Sequence, residues 1–448
     1  NLPSAPCAMK YIYFVGISSR DRQLLKLAIP ALGALLAEPL YVLADTAVVG
    51  HLGTSALGGL GVSSSALLLI YGLCFFLAYG TTAAVARLTG AGETRKAASQ
   101  VVQSIWLAVF VGVSLGLIVF IFSSQILGAM GATGDLLIQA RIYLQISMYG
   151  APAMLIMLAG VGYLRGVKDT VRPLWVSVGT AVLNLVLEII LIYGFKMGIG
   201  ASAAATVVAQ WTGAFIYLVW IGQTIRPHQI SLAPRFDLLK DLLRVSLELL
   251  TRNLSLAGTF LIATAVATRI SDVDVAAHQV AFQIWFTMAM AMDAMAIAAQ
   301  AMIGNLLGAG DSSEAKKVGE RAIVWSVGIG VVSGALLAAI HIPLSEVFSS
   351  DPAVTALASF LFIYVAAMSP ISGIAFALDG ILIGAGDHRY LAKAMVAATI
   401  CTVPIMFFTR ILDLGIGWLW ATICLFMGLR SLLLGMRFRS ERWMVTGI

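Results

Sequence analysis

The sequence predicts an all-α polytopic membrane protein of twelve transmembrane helices, in two six-helix bundles related by a parallel pseudo-twofold repeat. Three observations carry that expectation. First, 60% of the 448 residues are hydrophobic and only 11% are charged, whereas soluble domains carry about 25% charged residues. A mean hydropathy of +0.95 implies more apolar surface than a soluble globule can bury, and it excludes disorder. Second, the apolar stretches are long enough to cross a bilayer, which takes roughly 20 residues each. Third, the two halves of the chain repeat.

The elements follow in order. Residues 1–22 are an N-terminal segment whose apolar run, Tyr11 to Ile17, is too short to span; it reads as a loose or processed terminus rather than a signal peptide. An N-lobe over 23–222 holds spans 24–50, 56–86, 98–122, 136–163, 171–194 and 198–222. A polar, proline-bearing stretch at 223–237 is the linker. A C-lobe over 238–437 holds spans 238–270, 275–304, 318–340, 354–384, 390–411 and 415–436, and a tail occupies 438–448. Spans beyond about 25 residues fit tilted helices or helices that outrun the bilayer.

The cations orient the chain. With both termini and every even-numbered loop on one side, 23 of 28 Lys and Arg residues fall there, helix ends such as Arg165 and Arg430 included. Arg141, Lys196, Arg269 and Arg410 lie opposite, and Arg252 alone lies inside a span. This asymmetry places both termini in the cytoplasm and the protein in the cytoplasmic (inner or plasma) membrane. Of the four cysteines, Cys74, Cys401 and Cys424 sit in apolar stretches and read as free buried thiols.

The repeat has an offset of 218 residues. Gly90-Ala91-Gly92-Glu93 matches Gly308-Ala309-Gly310-Asp311, Pro152 matches Pro370, Gly166 matches Gly384 and Asp169 matches Asp387. Six spans per unit is an even number, so both copies enter from the same side, and two such lobes sharing a cleft suit alternating access. No phosphate loop, zinc motif or nucleophile elbow occurs, and the histidines are scattered, so enzyme chemistry, ATP drive and a resident cofactor are not expected. An ion gradient is the expected energy source, with H⁺ as the coupling ion and Na⁺ as the alternative.

Ionisable groups inside a membrane are costly and mark function. Asp45 in span 1, Glu188 with Asn184 one turn below it in span 5, and Thr206 in span 6 all lie roughly 7–12 Å from the outer boundary. Two carboxylates, an amide and a hydroxyl at one depth suit a proton shared between acids, or Na⁺; a purely structural set of interhelical hydrogen bonds is the plainer alternative. Pro30 and Pro39 favour a kink in span 1, through which protonation of Asp45 would reshape the cleft. Glu38, seven residues before Asp45, reads equally as a proton relay or as a buried neutral acid. In the C-lobe, Glu248 and Arg252 are spaced as an intrahelical structural ion pair. Asp293, Met288, Met292, Phe282, Trp285 and Phe286 read as a substrate cavity for a lipophilic cation, or as ordinary packing, with Asp379 wet at the inner end of span 10.

These residues resemble the multidrug and toxic compound extrusion (MATE) family, in its DinF-like branch, over about residues 22–437. The resemblance rests on three segments: Leu43-Ala44-Asp45-Thr46-Ala47-Val48-Val49-Gly50-His51-Leu52-Gly53, Tyr163-Leu164-Arg165-Gly166-Val167-Lys168-Asp169-Thr170 and Leu378-Asp379-Gly380-Ile381-Leu382-Ile383-Gly384-Ala385. It implies an antiporter, acting as a monomer, that exports lipophilic, often cationic compounds as H⁺ or Na⁺ enters, with no nucleic-acid partner. It also implies that Asp45 is the central coupling residue and that Asn184, Glu188 and Thr206 complete its site, Glu188 standing where the family has Asp. The acid pair of the NorM-like branch on spans 7 and 10 has no counterpart here, which favours protons. The main rival is a lipid-linked precursor flippase, whose basic cavity needs several cations inside the spans where the sequence offers only Arg252. A channel or a membrane-embedded enzyme fits less well.

Overall fold

A computed structural model describes residues 18–50 and 54–447; the N-terminal run Tyr11–Ile17 and the motif residues His51 to Gly53 lie outside the described residues. Fourteen α-helices follow one another, with no strand among the described residues. The N-lobe has α1 (Ser19–Val49), α2 (Thr54–Cys74), α3 (Phe76–Gly90), α4 (Thr94–Ala129), α5 (Gly134–Met148), α6 (Ala151–Gly166), α7 (Val171–Ile189) and α8 (Ile199–Ile225). The C-lobe has α9 (Phe236–Thr268), α10 (Asp272–Gly308), α11 (Ser312–Phe348), α12 (Pro352–Gly384), α13 (His388–Ile411) and α14 (Ile416–Arg439). Helices α2 and α3 together form one crossing, and α5 and α6 form another bent by 52°, which gives twelve spans.

Local chemistry sets the helix ends. Ser18 and Asp21 form a reciprocal capping box at the start of α1, Ser271 and Asp311 cap α10 and α11, and Asp351 caps α12 ahead of Pro352. The helix runs on through both Pro30 and Pro39. Most spans carry large apolar side chains outward, such as Phe110, Trp175, Phe215 and Ile400, as lipid contact requires. Cys401 belongs to that exposed set, while Cys74 is buried.

The repeat is visible helix by helix. Helices α4 and α11 begin at 94 and 312, α5 and α12 at 134 and 352, and α2 and α10 at 54 and 272, each pair 218 apart. The lobes meet along α3 and α10, whose equivalent ends cross without intervening side chains. A Cβ on Gly90 would lie 1.9 Å from the Asn305 carbonyl oxygen, and one on Gly308 would lie 2.0 Å from that of Arg87. Only glycine permits this approach. Among the described residues, a set of hydrogen bonds joins the lobes in this same half of the bundle, at the end with the basic loops. Asp21 accepts from Arg321 at 2.5 and 2.8 Å and from the Trp325 indole at 2.8 Å. Arg20 pairs with Glu314, and Gln300 donates to the Tyr79 carbonyl at 2.8 Å. Arg87 donates to the carbonyls of Ala385, Val445 and Gly447. The bundle is therefore latched at one end.

Candidate functional site

The N-lobe acids converge. Asp45 near the end of α1 is 3% exposed, and Glu188 at the end of α7 is fully buried, just before the helix widens into a π-helical turn over Ile190–Gly194. Ser202, on α8, donates its hydroxyl to Asp45 Oδ1 at 2.7 Å. One turn along the same helix, Thr206 accepts from the Asn184 amide at 2.8 Å and shares a 3.0 Å hydrogen bond with the Tyr41 hydroxyl. The Asn184 amide also reaches Tyr41 at 3.2 Å, and the Thr206 hydroxyl donates to the Ser202 carbonyl at 3.1 Å. Asp45, Asn184, Glu188 and Thr206, chosen from sequence by depth, thus stand together.

Hydrogen-bond accounting shows what this cluster lacks. Neither oxygen of Glu188 has a donor, nor does Asn184 Oδ1, although all three are buried. Asp45 and Ser202 both lie beside the Glu188 carboxyl. Buried acceptors without donors are rare, because each forfeits its hydration. Two adjacent buried carboxyls cannot both stay ionised, so the pair has room for a proton or a cation. Ser202 and Tyr41 escaped the sequence reading, yet the signal was present: Tyr41 lies four residues before Asp45, and Ser202 four before Thr206, each pair on one helix face. Glu38, seven residues before Asp45 on α1, is exposed, whereas Asp45 and Glu188 are buried.

The C-lobe departs from expectation. Arg252 does not pair with Glu248. Its guanidinium closes on Asp379 from α12 and donates to Asn253 Oδ1 at 2.7 Å, while Glu248 keeps a 3.8 Å contact with Arg244. Asp379 is not wet: at 2% exposure it lies between Arg252 and Arg430, which is itself fully buried. Its deep neighbours, not its distance from the helix end, set its environment. Arg165, 6% exposed, and Asp293 complete this inter-lobe charge cluster, so more arginines are interior than the single one expected. Met292 and Trp285 also pack in the C-lobe core, Trp285 against Phe260 with centroids 4.6 Å apart. Phe282, Phe286, Met288 and Asp293 retain access.

The family model described as MatE matches residues 30–190 and 249–408, once in each lobe. Among curated relatives, the chain is 30% identical to DETOXIFICATION 44, chloroplastic, of Arabidopsis thaliana, over 93% of this chain and 81% of that one. It is 29% identical to the DNA damage-inducible protein F of Escherichia coli, over 95% and 93%. It is 25% identical to a probable multidrug resistance protein NorM of Thermotoga maritima, over 94% and 93%. A solved structure described as the outward-facing conformation of a multidrug resistance MATE family transporter shares the fold, with a TM-score of 0.85, 22% identity and coverage of 95% and 97%.

Proposed function

The chain belongs to the MatE family of multi-pass membrane transporters, and on that premise we propose that it is a secondary active efflux antiporter exporting lipophilic or cationic compounds in exchange for protons. The observation that carries the reading is the buried pair Asp45 and Glu188 in one lobe, with both oxygens of Glu188 lacking a donor. Asp45 is the main coupling carboxylate. The pair takes up one proton from the open side, and α1, which bears Asp45, relays the change to the substrate path, for which the accessible Glu38, Phe282, Phe286 and Asp293 are the candidate contacts. Protons are favoured over Na⁺ because two adjacent buried carboxyls are satisfied by one shared proton, while Thr206 already accepts from Asn184 and shares a hydrogen bond with Tyr41. The free oxygens of Glu188 and Asn184 keep Na⁺ as the alternative.

The cation asymmetry supports an orientation with the basic-loop end and both termini in the cytoplasm, and the cytoplasmic membrane as the site of the protein. On that orientation the latched end is the inner one, and the state described is outward-facing. A second reading, the lipid-linked precursor flippase, gains from the buried Arg165, Arg252 and Arg430. It loses because Asp379 occupies two of them.

The test uses purified protein in liposomes with ethidium, under a pH gradient or a Na⁺ gradient, comparing the unmutated chain with Asp45→Asn. Drive by the pH gradient, lost in Asp45→Asn, is the expected result. Drive by Na⁺ alone overturns the ion assignment, and movement indifferent to both gradients and to the substitution brings the flippase forward.

A further inference from the structure

A groove of about 500 Å³ opens sideways between α9 and α13, near the N-terminal ends of both helices and away from the coupling cluster. Four cations surround it: Lys240 and Arg244 from α9, Arg389 and Lys393 from α13. All four are exposed. Glu248 is the one acid on its wall, and its 3.8 Å contact with Arg244 neutralises at most one of them. The floor is apolar, with Leu243 and Leu247 at 46% and 54% exposure. Beyond it, α9 continues an exposed stripe through Leu254 and Leu261 toward the middle of the membrane.

We propose that this groove binds an anionic phospholipid, its headgroup phosphate among the four cations and its acyl chains along the leucine stripe. The two chemistries are in the right order. Fixed positive charge lies at the depth of the headgroups, and apolar surface runs inward from it. Two N-terminal helix ends add to the positive potential there.

The repeat supplies an internal control. At an offset of 218, Lys240 and Arg244 correspond to Arg22 and Lys26, so both lobes carry the α1/α9 pair that general charge asymmetry requires. Arg389 and Lys393 correspond to Val171 and Trp175. The start of α7 has its own two cations, Lys168 and Arg172, but at other positions, with Arg172 turned onto Asp169 and the Trp220 ring, so the difference between the lobes is where the second pair stands. Orientation in the membrane does not account for that difference; a ligand with more than one negative oxygen does. The inference goes beyond the antiport reading and does not depend on it.

The experiment measures thermal stability and lipid retention of the purified, delipidated full chain titrated with phosphatidylglycerol, phosphatidylcholine or inorganic phosphate. The expected result is preferential binding of phosphatidylglycerol, weakened roughly thirtyfold in Arg389→Ala/Lys393→Ala and little changed in Arg22→Ala/Lys26→Ala. Lys393→Arg should retain binding, which separates loss of charge from loss of fold. Equal weakening by the two double variants, no preference over phosphatidylcholine, or equal stabilisation by inorganic phosphate each overturns the proposal.

Discussion

Replacing Gly90 with Ala puts a methyl group where the structure has 1.9 Å to the Asn305 carbonyl oxygen. Ordinary carbon–oxygen contact needs well over 3 Å (about 3.4 Å), so α3 and α10 must part by roughly 1–1.5 Å at their crossing or bend around it. Overpacking of this kind costs about 1–3 kcal/mol. The strain is confined to the latched arrangement, because a state with the lobes apart at this end has no such contact. The full cost therefore appears as a population shift, roughly 5- to 150-fold away from closure. The assay is thiol alkylation from the basic-loop side at an introduced cysteine replacing Ala83, which is 3% exposed on α3, in a background lacking the native cysteines. Gly90→Ala should raise the labelling rate by that factor, and Gly308→Ala should do the same. The two should add less than independently, since either one already separates the same pair of helices. Gly179→Ala, on a helix with nothing within 4 Å, is the control. Unchanged labelling in Gly90→Ala would refute the claim that this glycine crossing holds the end shut.

Other substitutions test other parts of the argument. Asp379→Asn should lower thermal stability in detergent by several degrees, and more than Arg252→Gln does, because losing the shared acid leaves two buried guanidiniums unpaired while losing one arginine leaves the acid with Arg430. Asp21→Asn should increase the same cysteine labelling as Gly90→Ala, since it weakens contacts to both Arg321 and Trp325 across the lobes. Glu188→Gln should reduce gradient-driven ethidium movement at least tenfold while leaving the protein folded, because the amide supplies Asp45 with a permanent donor and removes the vacancy for a proton. Its near-wild-type transport would count against the two-acid site.

The twelve spans and their repeat were legible because hydropathy and duplication are properties of the chain itself. So was most of the N-lobe cluster: Asp45, Asn184, Glu188 and Thr206 sit at one depth, and depth can be counted along a helix. The C-lobe misreading has a definite cause. The i,i+4 rule joined Arg252 to Glu248, but a buried guanidinium pairs with whatever acid the tertiary fold delivers, and Asp379 is 127 residues away in sequence. Arg430 was counted with a helix end; in the structure α14 continues to Arg439 and leaves it deep inside. The breaks that divide span 2 and bend span 4 are also confined to the N-lobe, and no composition signal separated these spans from their continuous counterparts α10 and α12.

The glycine crossing of α3 and α10 has one more consequence. Interlocked side chains act like gear teeth: two helices so joined can separate only by changing rotamers one after another. Here main chain rests on main chain at Gly90 and Gly308, and small residues continue the track, with Gly304 against Ala86. Smooth rods can roll and slide over one another with little to ratchet against. The two halves of the molecule can thus come together and part at this crossing without unlocking side chains, so closing and opening that end calls for few rotamer changes along it.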